Sequence, residues 1–226
     1  MTTAIIVAAG WGTRMGPDVD KLFLSVAGRP LIAHTWKRFD DSPWIDDLVL
    51  VVRNGMQNAF AELAAQYAFR KYYQLVQGGA ERQDSVWNGL QAVGNGTELV
   101  AIQDGARPCA TDALIAATLQ AAREMGAAVA AQRVTDTVKE SDGNLLINRN
   151  VDRTRLWAVQ TPQCFRVEIL RRALETAGQQ GWRVTDDAAA CEIIGQPVKL
   201  VESTGPNPKV TVPGDLAWVE WLLANS

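Results

Sequence analysis

The chain has 226 residues, 47% of them apolar, which is enough to bury the core of one α/β domain. Its formal net charge of −3 and its lack of basic runs argue against a protein that coats nucleic acid, work that needs concentrated Lys and Arg. Small-molecule partners are expected instead.

The N-terminal stretch MTTAIIVAAG has no basic n-region, and its apolar run stops early at a glycine. It therefore reads as a buried strand, with no signal peptide or membrane span expected and a cytoplasmic location implied. The loop that follows, AAGWGTRMG, places Gly10, Gly12 and Gly16 around Arg14, and Lys21 follows seven residues later. Successive uncovered backbone N–H groups with two nearby cations suit an anionic, phosphate-bearing ligand. Two better-known phosphate loops fit less well. Met15 stands where a dinucleotide fingerprint needs its third glycine, and no G-K-[ST] is present.

Helical spacing of apolar residues over Pro30–Phe39 encloses the single histidine, His34, which leaves little room for a His-based triad or a zinc site. Strand-like runs then alternate with helical patterns: Asp47–Val52, Gln57–Tyr67, Tyr72–Val76, Arg82–Ala92, Glu98–Asp104, Thr111–Met125 and Ala127–Val134. No acidic residue ends Asp47–Val52, where a dinucleotide fold would place its ribose ligand. The alternation predicts a single-domain α/β fold over 1–226, with a mostly parallel, Rossmann-like sheet and ligands at the carboxyl ends of its strands.

Two of the strand ends carry further candidates. Gly78-Gly79-Ala80-Glu81-Arg82-Gln83-Asp84-Ser85 turns from strand to helix, so a flat base could lie against Gly79 while Ser85 reaches it by hydrogen bond. Gln103-Asp104-Gly105-Ala106-Arg107-Pro108 places the Asp104 carboxylate at a strand end, where it could hold magnesium or a ribose hydroxyl or could simply cap a turn. The polar stretch 135–155, with Ser-Asp-Gly-Asn in its middle, reads as a projecting hairpin: a solvated excursion or an arm reaching a second subunit. Helical patterns return at Val167–Thr176, Asp186–Ile194 and Leu216–Leu223, with a strand near Lys199–Ser203. Cys109, Cys164 and Cys191 match no ligand spacing and read as reduced packing residues.

AAGWGTRM, Lys21, GGAERQDS, QDGARP, TDTVK, LWAVQTPQCF, VTDDA and PKVT occur in one order along nearly the whole chain. In this the sequence resembles the 2-C-methyl-D-erythritol 4-phosphate cytidylyltransferase family. The resemblance implies transfer of CMP from CTP to methylerythritol phosphate, with Mg2+ as cofactor and pyrophosphate as the leaving group. By the same resemblance Arg14, Lys21, Arg153 and Lys209 are the charge-stabilising residues. Ala8, Ala9, Gly10, Gly12, Gly79 and Ser85 would cradle the nucleotide, and Asp104 would contact the metal or ribose. Thr137, Thr161 and Thr185 would join Arg153 and Lys209 around the sugar phosphate, with Asp136 and Asp186 orienting them or binding sugar hydroxyls. The resemblance also implies a homodimer whose arms exchange, so that Thr137 and Arg153 complete the partner's site.

Three positions depart from the family pattern: Asp20 where a proline usually precedes the lysine, Gln103 where histidine is common, and Ala80 where aspartate is frequent. A sister cytidylyltransferase acting on ribitol 5-phosphate shares the loop and the cations. A dinucleotide-dependent oxidoreductase and a non-catalytic nucleotide-binding module are the more distant alternatives.

Overall fold

The computed structural model describes residues 1–16 and 19–225. In chain order, β1 (Thr2–Ala8) is followed by the short strands β2 (Ser25–Val26) and β3 (Arg29–Pro30), then α1 (Leu31–Asp41), β4 (Asp47–Val52) and α2 (Gln57–Tyr67). Next come β5 (Tyr73–Gln77), α3 (Arg82–Gln91), β6 (Leu99–Asp104), α4 (Asp112–Met125) and β7 (Ala127–Arg133). The hairpin β8 (Val138–Ser141) and β9 (Ile147–Val151) leads into β10 (Trp157–Arg166), α5 (Val167–Gln179), α6 (Asp187–Ile193), β11 (Lys199–Glu202) and α7 (Asp215–Ala224).

Seven strands form one sheet in the order β11-β7-β10-β6-β1-β4-β5. β1 pairs in parallel with both β4 and β6, β4 with β5, and β7 with β11, while β10 runs antiparallel between β6 and β7. The predicted single-domain, mostly parallel architecture is therefore present. β10 is an element that periodicity alone had not disclosed. Pro162 interrupts its pattern, and buried polar residues, Gln160, Thr161 and Gln163, sit where a core strand would show apolar ones.

Alternation along β1 explains how both faces of the sheet are covered. Ala4, Ile6 and Ala8 join a core with Trp36 and Phe39 of α1, Phe60 of α2, Ile115 of α4 and Val219 of α7. Ile5 faces the other way, into a core with Val86 and Leu90 of α3, Leu170 of α5 and Cys191 of α6. Pairing register brings the strand ends level: Ala8 lies beside Val52, Val52 beside Gln77, and Val7 beside Asp104. The glycine loop, the Gly78-Gly79 turn and the Asp104 turn consequently open onto one rim.

His34 donates from Nε2 to the Val26 carbonyl at 2.7 Å, a structural bond that fixes β2 on α1. All three cysteines are free and buried, and burial pushes the thiols of Cys109 and Cys191 up to about 11 and about 12. Such thiols stay protonated and unreactive near neutral pH, as packing residues should.

α3 lies close on the sheet because of Gly89: a Cβ there would stand 2.6 Å from Ile5 Cγ2 and 2.9 Å from Val51 Cγ2. Alanine would gain up to ~1 kcal/mol of helix propensity. Overpacking of two fully buried strand residues, at about 1–3 kcal/mol, outweighs that gain. Gly89→Ala is therefore expected to lower the urea midpoint, and an unchanged or raised midpoint would show that α3 can lift off the sheet at no cost.

Candidate active site

The rim encloses a cleft of about 340 Å³ lined by Ala8, Ala9, Gly10, Trp11, Lys21, Gly79, Arg82, Ser85, Asp104 and Lys209, among others. Most of the residues singled out for the nucleotide in the sequence thus meet in one place. A Cβ on Gly10 would meet nothing of the protein within 4 Å, so the missing side chain there is open cleft. Gly12 is different. Its φ is +64°, and a Cβ would stand 2.9 Å from Lys21 Cδ, because the lysine stem lies across this backbone.

The Gly78-Gly79 turn is just as tightly built. A Cβ on Gly78 would collide with Ala9 Cβ at 2.3 Å, and one on Gly79 with Asp84 Cβ at 2.2 Å. Ser85 Oγ accepts from Gly79 N at 3.1 Å and donates to the Glu81 carbonyl at 3.1 Å, so its hydroxyl fixes the turn from inside. A reciprocal capping box between Glu81 and Asp84 then starts α3.

Asp104 is the electrostatic centre of the cleft. Its Oδ1 lies 3.2 Å from Arg82 Nε, and its Oδ2 lies 2.7 Å from Lys209 Nζ and 3.7 Å from Arg107 Nε. Burial alone would raise this carboxyl, but Arg82, Lys209 and Arg107 overcome it and hold the group well below the usual carboxylate range. The turn-capping alternative therefore does not describe the Asp104 side chain. Its backbone is fixed from both neighbours: Thr161 Oγ1 accepts from Asp104 N at 3.1 Å, and Thr35 Oγ1 donates to the Gly105 carbonyl at 2.8 Å.

Arg82 continues the chain of charge inward. Its Nη2 donates to Asp187 Oδ2 at 2.9 Å, and Asp187 is fully buried at the first turn of α6. Burial pushes that carboxyl up in spite of the arginine, the reverse of the outcome at Asp104, which has three cationic neighbours. Arg107 is held on its other side by the Asn207 carbonyl, which accepts from Nη1 at 2.7 Å. Lys21 donates to the Val210 carbonyl at 3.1 Å, and burial together with the like charge of Lys209 lowers its pKa. Lys21, Arg82 and Lys209 line the cleft with the carboxylates of Asp104 and Glu81, while Arg107 and Asp187 pair with Asp104 and Arg82 from behind, so the lining keeps a positive surplus. A polyphosphate is the ligand such a surplus suits.

The remaining candidates lie apart. Arg14, in a 3-10 turn over Thr13–Met15, is exposed and acts on Lys21 as a like charge. Thr137 stands where the chain enters the hairpin and Arg153 where it leaves, both exposed, and neither lines the cleft of its own chain. Thr185 is exposed just before α6, whereas Asp186 caps α6 by accepting from Ala189 N at 2.9 Å. Asp186 also accepts from Gln163 Nε2 at 2.9 Å. Gln103 is fully buried and donates to the Arg107 carbonyl at 3.0 Å, which steadies the Asp104 turn.

Arg82, Arg107 and Asp187 had no role in the sequence reading. The first two lay in plain view inside GGAERQDS and QDGARP, but the Arg82–Asp187 contact joins positions 105 residues apart.

The family model described as 2-C-methyl-D-erythritol 4-phosphate cytidylyltransferase matches residues 2–225. A curated protein of that name from Geobacillus thermodenitrificans is 44% identical over 222 residues, covering 98% of this chain and 96% of its own. Another from Pelotomaculum thermopropionicum is 41% identical over 221 residues, covering 97% and 93%. Among solved structures, 4-diphosphocytidyl-2C-methyl-D-erythritol synthase from Anaerococcus prevotii superposes with a TM-score of 0.86 at 28% identity, over 99% of this chain and 98% of that one. The Thermus thermophilus 2-C-methyl-D-erythritol 4-phosphate cytidylyltransferase superposes with a TM-score of 0.80 at 32% identity, over 98% of each chain. The chain belongs to the 2-C-methyl-D-erythritol 4-phosphate cytidylyltransferase family.

Proposed function

We propose that this protein transfers CMP from CTP to 2-C-methyl-D-erythritol 4-phosphate. A phosphate oxygen of the acceptor forms a bond to the α-phosphorus, the bond from that phosphorus to the bridging oxygen breaks, and pyrophosphate leaves with the electron pair. The attacking phosphate is already ionised, so no general base is needed. The observation that carries this reading is the cationic surplus around Asp104 on the rim that also holds the glycine cradle. Two anions approach one another there, and fixed positive charge in a partly buried cleft is what lowers the cost of their meeting.

Lys21 is placed over the cradle by Gly12, and with Arg14 it would stabilise charge on the α-phosphate. Lys209, gathered at Asp104, would take the acceptor phosphate, with Arg107 supporting the charge from behind Asp104. The Gly79 turn and the β1 backbone would read the base through fixed donors and acceptors.

Magnesium would enter as an ion carried on the triphosphate, meeting Asp104 once Lys209 turns from that carboxylate to phosphate. Mg2+ characteristically takes one or two carboxylates with phosphate oxygens and water, and Asp104 is the carboxylate that would hold it. Among the described residues no cluster of three or more His, Cys, Asp or Glu could cage a metal without that help. When bound, the ion would add further neutralisation of the leaving pyrophosphate.

Exposed apolar residues at the hairpin tip, Leu145, Leu146 and Ile147, support an arm that docks on a second copy, and the exposure of Arg153 and Thr137 suits service in the partner's cleft. Among the described residues no helix is long and apolar enough to cross a membrane.

Pyrophosphate release measured with each of the four nucleoside triphosphates, magnesium and methylerythritol phosphate is expected to single out CTP. Turnover of ribitol 5-phosphate in place of methylerythritol phosphate would show the acceptor wrong. Arg14→Ala and Lys21→Ala should each lower kcat by roughly 10²–10³-fold while CTP still binds, the loss typical of one charge-stabilising donor. Wild-type turnover in either variant would remove that residue from the mechanism.

Burial lowers the Lys21 pKa, so its charge is lost at lower pH than that of a free lysine. The alkaline limb of kcat/KM should therefore fall below 10.5. A limb at or above that value would mean that Lys21 is not the titrating cation.

Arm exchange has its own test. Mixing inactive Arg14→Ala and Arg153→Ala homodimers should, after subunit exchange, restore about a quarter of wild-type activity, since each mixed dimer holds one intact site. No recovery after confirmed exchange would place Arg153 in its own subunit's cleft.

A further inference from the structure

Behind the cradle, outside the cleft, a second arginine holds the loop together. Arg53 follows the last residue of β4, on a backbone tied to the neighbouring strand end by the Gly78 N–H, which donates to the Val52 carbonyl at 2.8 Å. Its guanidinium makes three contacts with the loop. Nη1 donates to the Gly10 carbonyl at 3.2 Å, Nη2 pairs with the Asp20 carboxylate, and Cζ lies 4.7 Å from the centre of the Trp11 ring. Asp20 in turn caps the 3-10 turn over Lys21–Phe23, its Oδ1 accepting from Leu22 N at 3.2 Å. The side chains of Arg53 and Asp20 are only 11% and 26% exposed, so water weakens this pair less than a surface one.

We propose that Arg53 is a positioning residue for the transfer reaction. It latches the floor of the cradle, at Gly10 and Trp11, to the turn that presents Lys21, and it neutralises the Asp20 carboxylate one residue from that lysine. The inference rests on the function proposed above and adds a residue to it.

Two physical effects act in the same direction. One is geometric: a planar guanidinium can bond a carbonyl and a carboxylate while stacking on an indole, so a single group fixes three loop positions at once. The other is electrostatic. Without Arg53, the Asp20 charge would repel an incoming triphosphate and compete for the Lys21 ammonium. Arg53 itself does not line the cleft, which makes its action indirect.

The test is a double-mutant cycle on Arg53→Ala, Asp20→Asn and the pair, reading kcat and the KM for each substrate, CTP affinity by equilibrium binding, and the thermal midpoint. Arg53→Ala should lower kcat/KM for CTP on the order of 10²-fold, the usual consequence of misplacing a catalytic group by about 1 Å. The KM for methylerythritol phosphate should stay close to wild type, and any fall in the thermal midpoint should be shared by Asp20→Asn, since either change breaks the same pair. Arg53→Lys should recover part of the loss, since it restores the charge but not the fork.

The double variant should be no worse than Arg53→Ala and should bind CTP more tightly, because the uncompensated carboxylate is gone. Wild-type kinetics and CTP affinity in Arg53→Ala would overturn the proposal, as would losses that simply multiply in the double variant, or a fall in thermal midpoint with both substrates affected alike. If the wild-type protein releases no pyrophosphate from CTP and methylerythritol phosphate, the reading of function falls. The latch is then judged on CTP affinity, where an unchanged value in Arg53→Ala overturns it.

Discussion

A site for two anions must hold cations close together before either anion arrives, and like charges at close range in a partly buried cleft repel strongly. Asp104 is the counter-charge that lets them coexist. One carboxylate gathers Arg82, Lys209 and Arg107, and its depressed pKa is the signature of that attraction overcoming burial. Taking Asp104 away would leave three cations facing one another, while taking one cation away would leave the buried carboxylate poorly compensated. The cluster stays assembled only as a set, and the positive charge that Asp104 leaves uncancelled is what a bound nucleotide would meet.

Precision in the cluster comes from the sheet. Asp104 ends a strand buried at every position, its amide is held by Thr161 of the antiparallel β10, and its turn is held by Thr35 of α1. Gly105 allows this crowding, since a Cβ there would meet Ile32 Cδ1 at 2.9 Å and the Val7 carbonyl at 3.0 Å. Close backbone approach in the glycine turns thus serves two purposes: at Gly78, Gly79, Gly105 and Gly12 the protein fills the space with its own atoms, and at Gly10 it leaves the space empty. The space at Gly10 belongs to the cleft.

Local pattern made the parallel strands and their helices legible, because the unbroken apolar run of β1 and the helical spacing in α1 and α4 are properties of neighbouring residues. β10 was not legible in that way. Its place between β6 and β7 puts polar side chains, Gln160, Thr161 and Gln163, in the interior, where they bond to Gln132, to the Asp104 amide and to Asp186. A strand chosen for its hydrogen bonds shows no hydrophobic rhythm. The site divides along the same line: the cradle and Asp104 sit at recognisable strand ends, while the Arg82–Asp187 and Arg53–Asp20 pairs join segments that only folding brings together. Asp20 stood out in the sequence only as a departure from a family pattern; its meaning depends on Arg53.

The two lysines of the cleft are held in different electrostatic states, and the difference suggests a division of labour. Lys209 is committed to Asp104 at 2.7 Å, so its charge is largely spent within the protein until another anion competes for it. Lys21 rests on a neutral carbonyl, and its lowered pKa records a charge that the surroundings resist rather than compensate. Uncompensated charge is costly in the empty protein and pays most when negative charge grows nearby, which is the condition for stabilising a transition state more than a ground state. Under the proposed reaction Lys21 therefore suits the α-phosphate under attack, and Lys209 suits the acceptor phosphate that attacks it. The loop must hold Lys21 against its own tendency to seek a carboxylate, and the neighbouring Asp20 is kept from it by Arg53.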